Sequence, residues 1–251
     1  MGADLRGVFD RAASTYDVAG VRLFTEMAVA TAHLLPTGPF GCIVEVGAGT
    51  GALTAHLGGR GPVLATDASS GMLRELGRRV PEVSRLAVAD AAQLPLKAGV
   101  ADLVVASQVI QLLDSADAAV AEWARVLRPG GLLVISSQAE RAGPVWEDKV
   151  AALLPARRAR GPGRRWTDQV SADAVLTGAG FGQATHHAID FEVSFADGEG
   201  FWQWCWSHGQ RASMERIQVG DLAAVRAQVL ALVGDRPVLP VRLWTVVASR
   251  S

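Results

Sequence analysis

Between Cys42 and Ser136, short apolar runs alternate with stretches of helical periodicity, and this rhythm narrows the possible folds more than any other feature. Cys42–Val46, Val63–Thr66, Leu86–Val88, Ala101–Ala106 and Leu132–Ser136 read as strands. Gly51–Leu57, Gly71–Val80 and Ala116–Leu127 read as helices, with Arg128-Pro129-Gly130-Gly131 as a turn. The run at 101–106 is apolar but for Asp102 and suits a strand buried on both faces. Strands alternating with helices imply a parallel sheet between two helical layers, an α/β architecture.

The flanks follow other patterns. Phe9, Ala13 and Tyr16, then Leu23, Met27, Ala30 and Leu34, recur at helical spacing before Pro36-Thr37-Gly38-Pro39 breaks the pattern. After Ser137 the rhythm is lost. Residues 140–170 are polar and rich in Arg and Gly, Ser171–Gly180 is a short helix, Thr185–Val193 is a strand, and Arg242–Ala248 is the last strand. An insert at 197–236 carries Trp202, Trp204 and Trp206. The expected organisation is one domain, with a core at 40–137, 171–193 and 241–251, a helical cap at 5–36, and lid segments at 138–170 and 194–240. At 251 residues the chain is long enough for such a core without disulfides or metal.

Composition removes several classes. The chain is 49 % hydrophobic and 20 % charged, which excludes intrinsic disorder. A net charge of -1 argues against a nucleic-acid partner. The N-terminal seventeen residues lack the apolar stretch of a signal peptide, and no apolar run approaches the ~20 residues of a membrane span. Cys42 and Cys205 are far apart and match no ligand spacing, so a cytoplasmic location, reduced thiols and no bound metal are expected.

The segment Val44-Glu45-Val46-Gly47-Ala48-Gly49-Thr50-Gly51 carries a strand into a glycine turn, where backbone N–H groups can approach a ligand at the start of the expected helix. Asp67 follows Gly47 by twenty residues, at the end of the second strand, where a carboxylate can accept both hydroxyls of a ribose. The glycines alone also satisfy a permissive dinucleotide fingerprint. Three features favour S-adenosylmethionine over a nicotinamide dinucleotide: the compact Gly-x-Gly-x-Gly after Glu45, the forty or so residues before it, and Asp90-Ala91 closing the third strand within reach of an adenine amino group.

Together with Phe9-Asp10-Arg11-Ala12-Ala13-Ser14-Thr15-Tyr16-Asp17, Ser69, Met72-Leu73 and Leu127-Arg128-Pro129-Gly130-Gly131, these residues resemble the class I S-adenosylmethionine-dependent methyltransferases. The subgroup is the one containing the ubiquinone/menaquinone and biotin-pathway malonyl-carrier-protein enzymes. The resemblance spans roughly residues 5–137 and returns at Ala179-Gly180-Phe181 and the final strand. It implies a Rossmann-like, seven-stranded, mostly parallel sheet with helices on both faces. It also implies that Glu45 and the loop Gly47, Ala48, Gly49 and Gly51 hold the methionine end of the cofactor, Asp67 the ribose and Asp90 the adenine. Ala68, Met72 and Ala91 would line the adenine pocket, Ser107 would offer backbone groups to the methionine amine, and Tyr16 would close the pocket. Relatives often carry a His-rich stretch after the fourth strand, where this chain has Gln108-Val109-Ile110-Gln111-Leu112.

Methyl transfer is an in-line displacement in which positioning does much of the work, and a base is required only if the acceptor keeps its proton. With the His-rich stretch absent, the insert supplies the candidates. Helical spacing over Phe201–Ile217 puts Trp204, His208 and Arg211 on one face and Trp202 and Trp206 on another. His208 would serve as base and Arg211 would neutralise a carboxylate or enolate; the same spacing also suits a packed Trp face with a surface His–Arg pair. The run Arg157, Arg158, Arg160, Arg164 and Arg165 suits a solvated loop or a dock for an acyl carrier protein or a phosphorylated substrate. The expected activity is O- or C-methylation of a small molecule, with an aromatic or polyketide-like metabolite of secondary metabolism as the acceptor. The alternatives are a cyclisation or rearrangement in the same fold and a non-catalytic cofactor-binding subunit.

Overall fold

A computed structural model describes residues 3–139, 143–155, 166 and 168–251. The helical N-terminus forms α1 (Ala3–Ala12) and α2 (Leu23–His33), interrupted by a turn at Asp17 and Gly20. Asp17 sits at φ 57, and its carboxylate accepts the N–H groups of Phe24 at 2.9 Å and Thr25 at 2.8 Å, capping the first turn of α2. Gly20, at φ 77, packs against the backbone of Gly200, where a Cβ would lie 2.4 Å from the Gly200 carbonyl oxygen.

The strands are β1 (Ile43–Val46), β2 (Val63–Asp67), β3 (Arg85–Val88), β4 (Ala101–Ser107), β5 (Leu127–Gln138), β6 (Thr185–Ser194) and β7 (Val238–Ser249). They form one sheet in the order β3-β2-β1-β4-β5-β7-β6. All neighbours pair in parallel except at β7, which runs antiparallel to both β5 and β6. The helices that follow α2 are α3 (Ser70–Arg79), α4 (Ala116–Val126), α5 (Val145–Leu153), α6 (Gln169–Gly178), α7 (Gly198–Trp206), α8 (Arg211–Met214) and α9 (Leu222–Val233). This is the seven-stranded, mostly parallel Rossmann-like α/β sheet that the strand–helix rhythm implies.

At three places the local structure differs from the sequence pattern. The expected helix over Gly51–Leu57 is only a 3-10 turn at Thr54–His56, followed by a second at Gly58–Arg60. Gly51 holds φ 95, and Gly58-Gly59 follow, so the segment has too little helical propensity to propagate. A helix N-terminus therefore does not support the glycine loop. The expected turn at Arg128–Gly131 belongs to β5, where the register shifts between its pairings with Ala101 and Leu103 and Gly130 takes φ 72. The insert is not one helix over Phe201–Ile217, because α7 ends at Trp206 and α8 begins at Arg211.

One packed layer runs from Val44, Val104 and Ile135 of the sheet to α4 and α6. At its centre Trp123 is fully buried, and its indole N–H donates to the Ala91 carbonyl at 2.9 Å, fixing the chain just after β3. The opposite layer joins Ile43, Ala65 and Val105 to α2 and α3. A third cluster packs Leu23 and Met27 of α2 against Phe195, Phe201, Trp202 and Leu239. Among the described residues, no helix is long and apolar enough to cross a membrane. The arginine run at 157–165 lies outside the described residues.

Candidate active site

The ends of β1, β2 and β4 open into a narrow cavity of about 80 Å³ lined by Gly47, Gly49, Asp67, Ala68, Met72 and Ser107, with Ala89 and Ala91 on one wall. The glycine loop is shaped by close packing on one side and space on the other. At Gly47, φ 69, a Cβ would lie 2.2 Å from the side chain of Val109. At Gly49, φ 57, a Cβ would meet nothing within 4 Å. Gly49 thus forms a cradle whose backbone faces open volume.

Asp67 is the hinge of this arrangement. Its carboxylate accepts the N–H of Gly49 at 2.9 Å and that of Ser69 at 2.8 Å, which ties the glycine loop to the end of β2. Burial pushes its carboxyl above the usual carboxylate range, opposed by those two hydrogen bonds. Ser69 in turn caps α3 by accepting the Met72 N–H at 3.1 Å. Its hydroxyl donates to Asp10 at 2.6 Å, and Gly71 N–H donates to the same carboxylate at 2.8 Å. Asp10 therefore fastens the cap onto the rim of the cavity, a role within the N-terminal motif that spacing alone does not reveal.

Glu45 lies beneath the loop, 2 % exposed, with Oε2 lacking a partner among the described residues. Burial pushes its carboxyl up to about 8. Glu45, Ala48, Gly51 and Asp90 do not line the cavity. Asp90 sits between the lining residues Ala89 and Ala91, and its carboxylate accepts the Ala92 N–H at 3.0 Å. Phe9, Val46, Ala89, Gln108, Val109, Leu112 and Leu113 also line the cavity, residues to which the resemblance gave no cofactor role.

A second cavity of about 520 Å³ adjoins the first. Phe9, Tyr16, Gln108 and Leu112 line both, so they form a shared neck. The larger chamber is walled by Phe24, Trp146, Phe201 and Trp204, with Gln111, Gln138 and His208 among its polar groups. Tyr16 stacks on Phe24 with ring centroids 4.7 Å apart. Burial, and then the charges of Asp17 and Asp67, raise its phenol far above the ordinary range, so it remains a donor at neutral pH. Burial also pushes the Cys205 thiol, on the chamber wall, up to about 12.

His208 stacks on Trp204 at a centroid distance of 4.0 Å, and its Nδ1 lies 2.7 Å from the Trp204 carbonyl oxygen. Nδ1 donates its proton in that contact, which orients the ring. Arg211 does not share this position. It lies on α8, outside the residues lining either cavity, with Nε donating to Glu215 at 2.8 Å. Arg11 of α1 donates to the same carboxylate at 2.9 Å, and these guanidinium groups, Arg11 first, hold Glu215 down at about 2. The expected His208–Arg211 grouping is corrected here, because the break between α7 and α8 turns Arg211 toward the cap.

Comparison with known proteins accords with this geometry. A methyltransferase-domain family model matches residues 44–135. Nocamycin O-methyltransferase of Saccharothrix syringae is 28 % identical over 254 residues, covering 89 % of this chain and 88 % of the relative. A malonyl-[acyl-carrier protein] O-methyltransferase of Methylovorus is 31 % identical, covering 78 % of this chain and 69 % of its own. The chain belongs to the class I S-adenosylmethionine-dependent methyltransferases. The YcgJ protein of Bacillus subtilis shares the fold, with a TM-score of 0.62 at 13 % identity, over 90 % of this chain and 98 % of the other. Family membership makes the protein an S-adenosylmethionine-dependent enzyme that methylates a small molecule, and it sets aside the cyclising and non-catalytic alternatives. The open cradle at Gly49, beside the Asp67 carboxylate, fits that cofactor.

Proposed function

We propose that the narrow cavity holds the cofactor and the larger chamber holds the acceptor, so that transfer occurs across the neck formed by Phe9, Tyr16, Gln108 and Leu112. The neck shared by the two cavities is the observation that carries this reading. Gly47, Ala48, Gly49 and Gly51 shape the loop around the methionine end, above Glu45. Asp67 takes the ribose, Asp90 approaches the adenine edge, Ala68, Met72 and Ala91 pack the base, and Ser107 offers its backbone to the amine. When bound, S-adenosylmethionine supplies an electrophilic methyl group on a sulfonium.

This chain's residues then position and desolvate the acceptor. Tyr16 and Phe9 close the neck, and the aromatic walls exclude water and favour a flat, largely apolar molecule. His208, held by the Trp204 carbonyl on the chamber wall, takes the acceptor's proton. Arg211 fastens lid to cap through Glu215 and takes no part in charge neutralisation. An aromatic or polyketide-like metabolite of secondary metabolism suits the aromatic walls of the chamber, and the relation to nocamycin O-methyltransferase favours oxygen as the methylated atom. Delivery by an acyl carrier protein is a second reading, favoured by the malonyl-carrier-protein relative. The unit acts as one domain with its cap and lid, and two free thiols suit the cytoplasm.

His208→Ala should lower single-turnover methylation of an acceptor by about 100-fold or more while leaving calorimetric S-adenosylhomocysteine affinity unchanged. Unchanged turnover would contradict the role of His208 as base.

A further inference from the structure

The neck and the chamber floor carry an amide pair that neither the cofactor nor the base uses. Gln108 follows β4 in the left-handed region, at φ 59, and its N–H donates to the Ser136 carbonyl at 2.8 Å. A non-glycine residue held there stores backbone strain and is retained where its side chain must point in a particular direction. Gln111 Nε2 donates to Gln108 Oε1 at 3.0 Å, which orients both amides. Gln108 Nε2 and Gln111 Oε1, both buried, find no partner among the described residues. The Trp204 indole N–H, on the same chamber wall, also finds no partner among the described residues.

Unpaired buried donors and acceptors cost free energy unless a ligand satisfies them. The chamber thus presents a donor beside an acceptor, both uncharged. Among the described lining residues the one guanidinium, that of Arg242, is engaged by Asp190 at 2.7 and 2.8 Å. We propose that the chamber selects neutral acceptors bearing two neighbouring oxygens, one accepting from Gln108 Nε2 and one donating to Gln111 Oε1. Vicinal diphenols and enols beside a hydroxyl have this pattern. The proposal rests on assigning the larger chamber to the acceptor, and it makes Gln108 and Gln111 the specificity-determining pair.

The test uses the full chain loaded with S-adenosylhomocysteine and three naphthalene probes. They are 2,3-dihydroxynaphthalene, its 2,3-dimethoxy ether, which lacks the donor, and 3-hydroxy-2-naphthoate, which is anionic. Binding is read by quenching of tryptophan fluorescence. The diol should bind about tenfold more tightly than either analogue, the effect of leaving one buried polar group unpaired. Gln111→Leu should abolish that preference while leaving S-adenosylhomocysteine affinity within twofold, because Gln111 lines only the larger chamber. Equal binding of the three probes, absence of diol binding, or a preference surviving Gln111→Leu would overturn the proposal. The wild-type comparison decides the matter even where a variant misfolds. Failure of the wild type to bind S-adenosylhomocysteine would overturn the two-cavity assignment beneath it, an outcome distinguishable from lost selectivity alone.

Discussion

The two cavities are built differently. The smaller one is organised around a glycine loop and Asp67 at the ends of neighbouring parallel strands, and apolar side chains such as Met72, Val109 and Leu113 close it. The larger one is made of side chains drawn from α1, α2, the segment after β4, α5, α7 and β7. A site made of backbone leaves a spacing in the sequence, since each glycine is demanded by a φ or by a close approach. A chamber made of side chains leaves only a composition.

The contrast between the cavities can be broken most severely at the glycine loop. Gly47→Ala forces a Cβ against Val109 in a left-handed conformation and should cost roughly 3 kcal/mol of stability, read from denaturant unfolding. Gly49→Ala meets open space and should cost only about 1 kcal/mol of stability, yet should weaken S-adenosylhomocysteine binding, because its methyl group enters the cradle. Equal stability losses would contradict the assignment of one glycine to packing and the other to ligand.

Asp67→Ala removes the acceptor of the Gly49 and Ser69 N–H groups together with the proposed ribose contact. Calorimetry should show a loss of roughly 2–3 kcal/mol in S-adenosylhomocysteine affinity, as expected for hydrogen bonds to a charged group. Unchanged affinity would remove the ribose from this position.

A smaller effect sharpens the same contrast through pH. Glu45 has a folded value near 8 against an unfolded value of 4.5, so the folded state binds the extra proton between them. Stability of the free protein should fall as pH rises from 6 to 8, by roughly 2 kcal/mol. Glu45→Gln should flatten that slope in thermal melts, and an unaltered slope would show that another group titrates.

The sheet is legible because β1, β4 and the Leu132–Ile135 stretch of β5 are mostly apolar and buried, and Asp67 because its distance from the loop is set by one strand–helix–strand unit. Other features are not. Nothing in the spacing of Gly51–Leu57 distinguishes two 3-10 turns from a helix; the deciding feature is the φ of Gly51. The grouping of His208 with Arg211 assumed continuous helical phase, which the residues between Trp206 and Arg211 interrupt. Gln108 stood out as a departure from a His-rich pattern, but its place in the neck depends on a left-handed backbone that its type does not announce. Asp10 was visible as a motif member, and its grip on Ser69 and Gly71 required the fold.

A crystal structure of the protein with S-adenosylhomocysteine tests the two-cavity account most directly. The account predicts the ribose on Asp67, the base against Met72 and Ala91, and the sulfur directed toward the neck at Tyr16 and Gln108. Density for the ligand within the chamber of Trp146, Trp204 and His208 instead would contradict it.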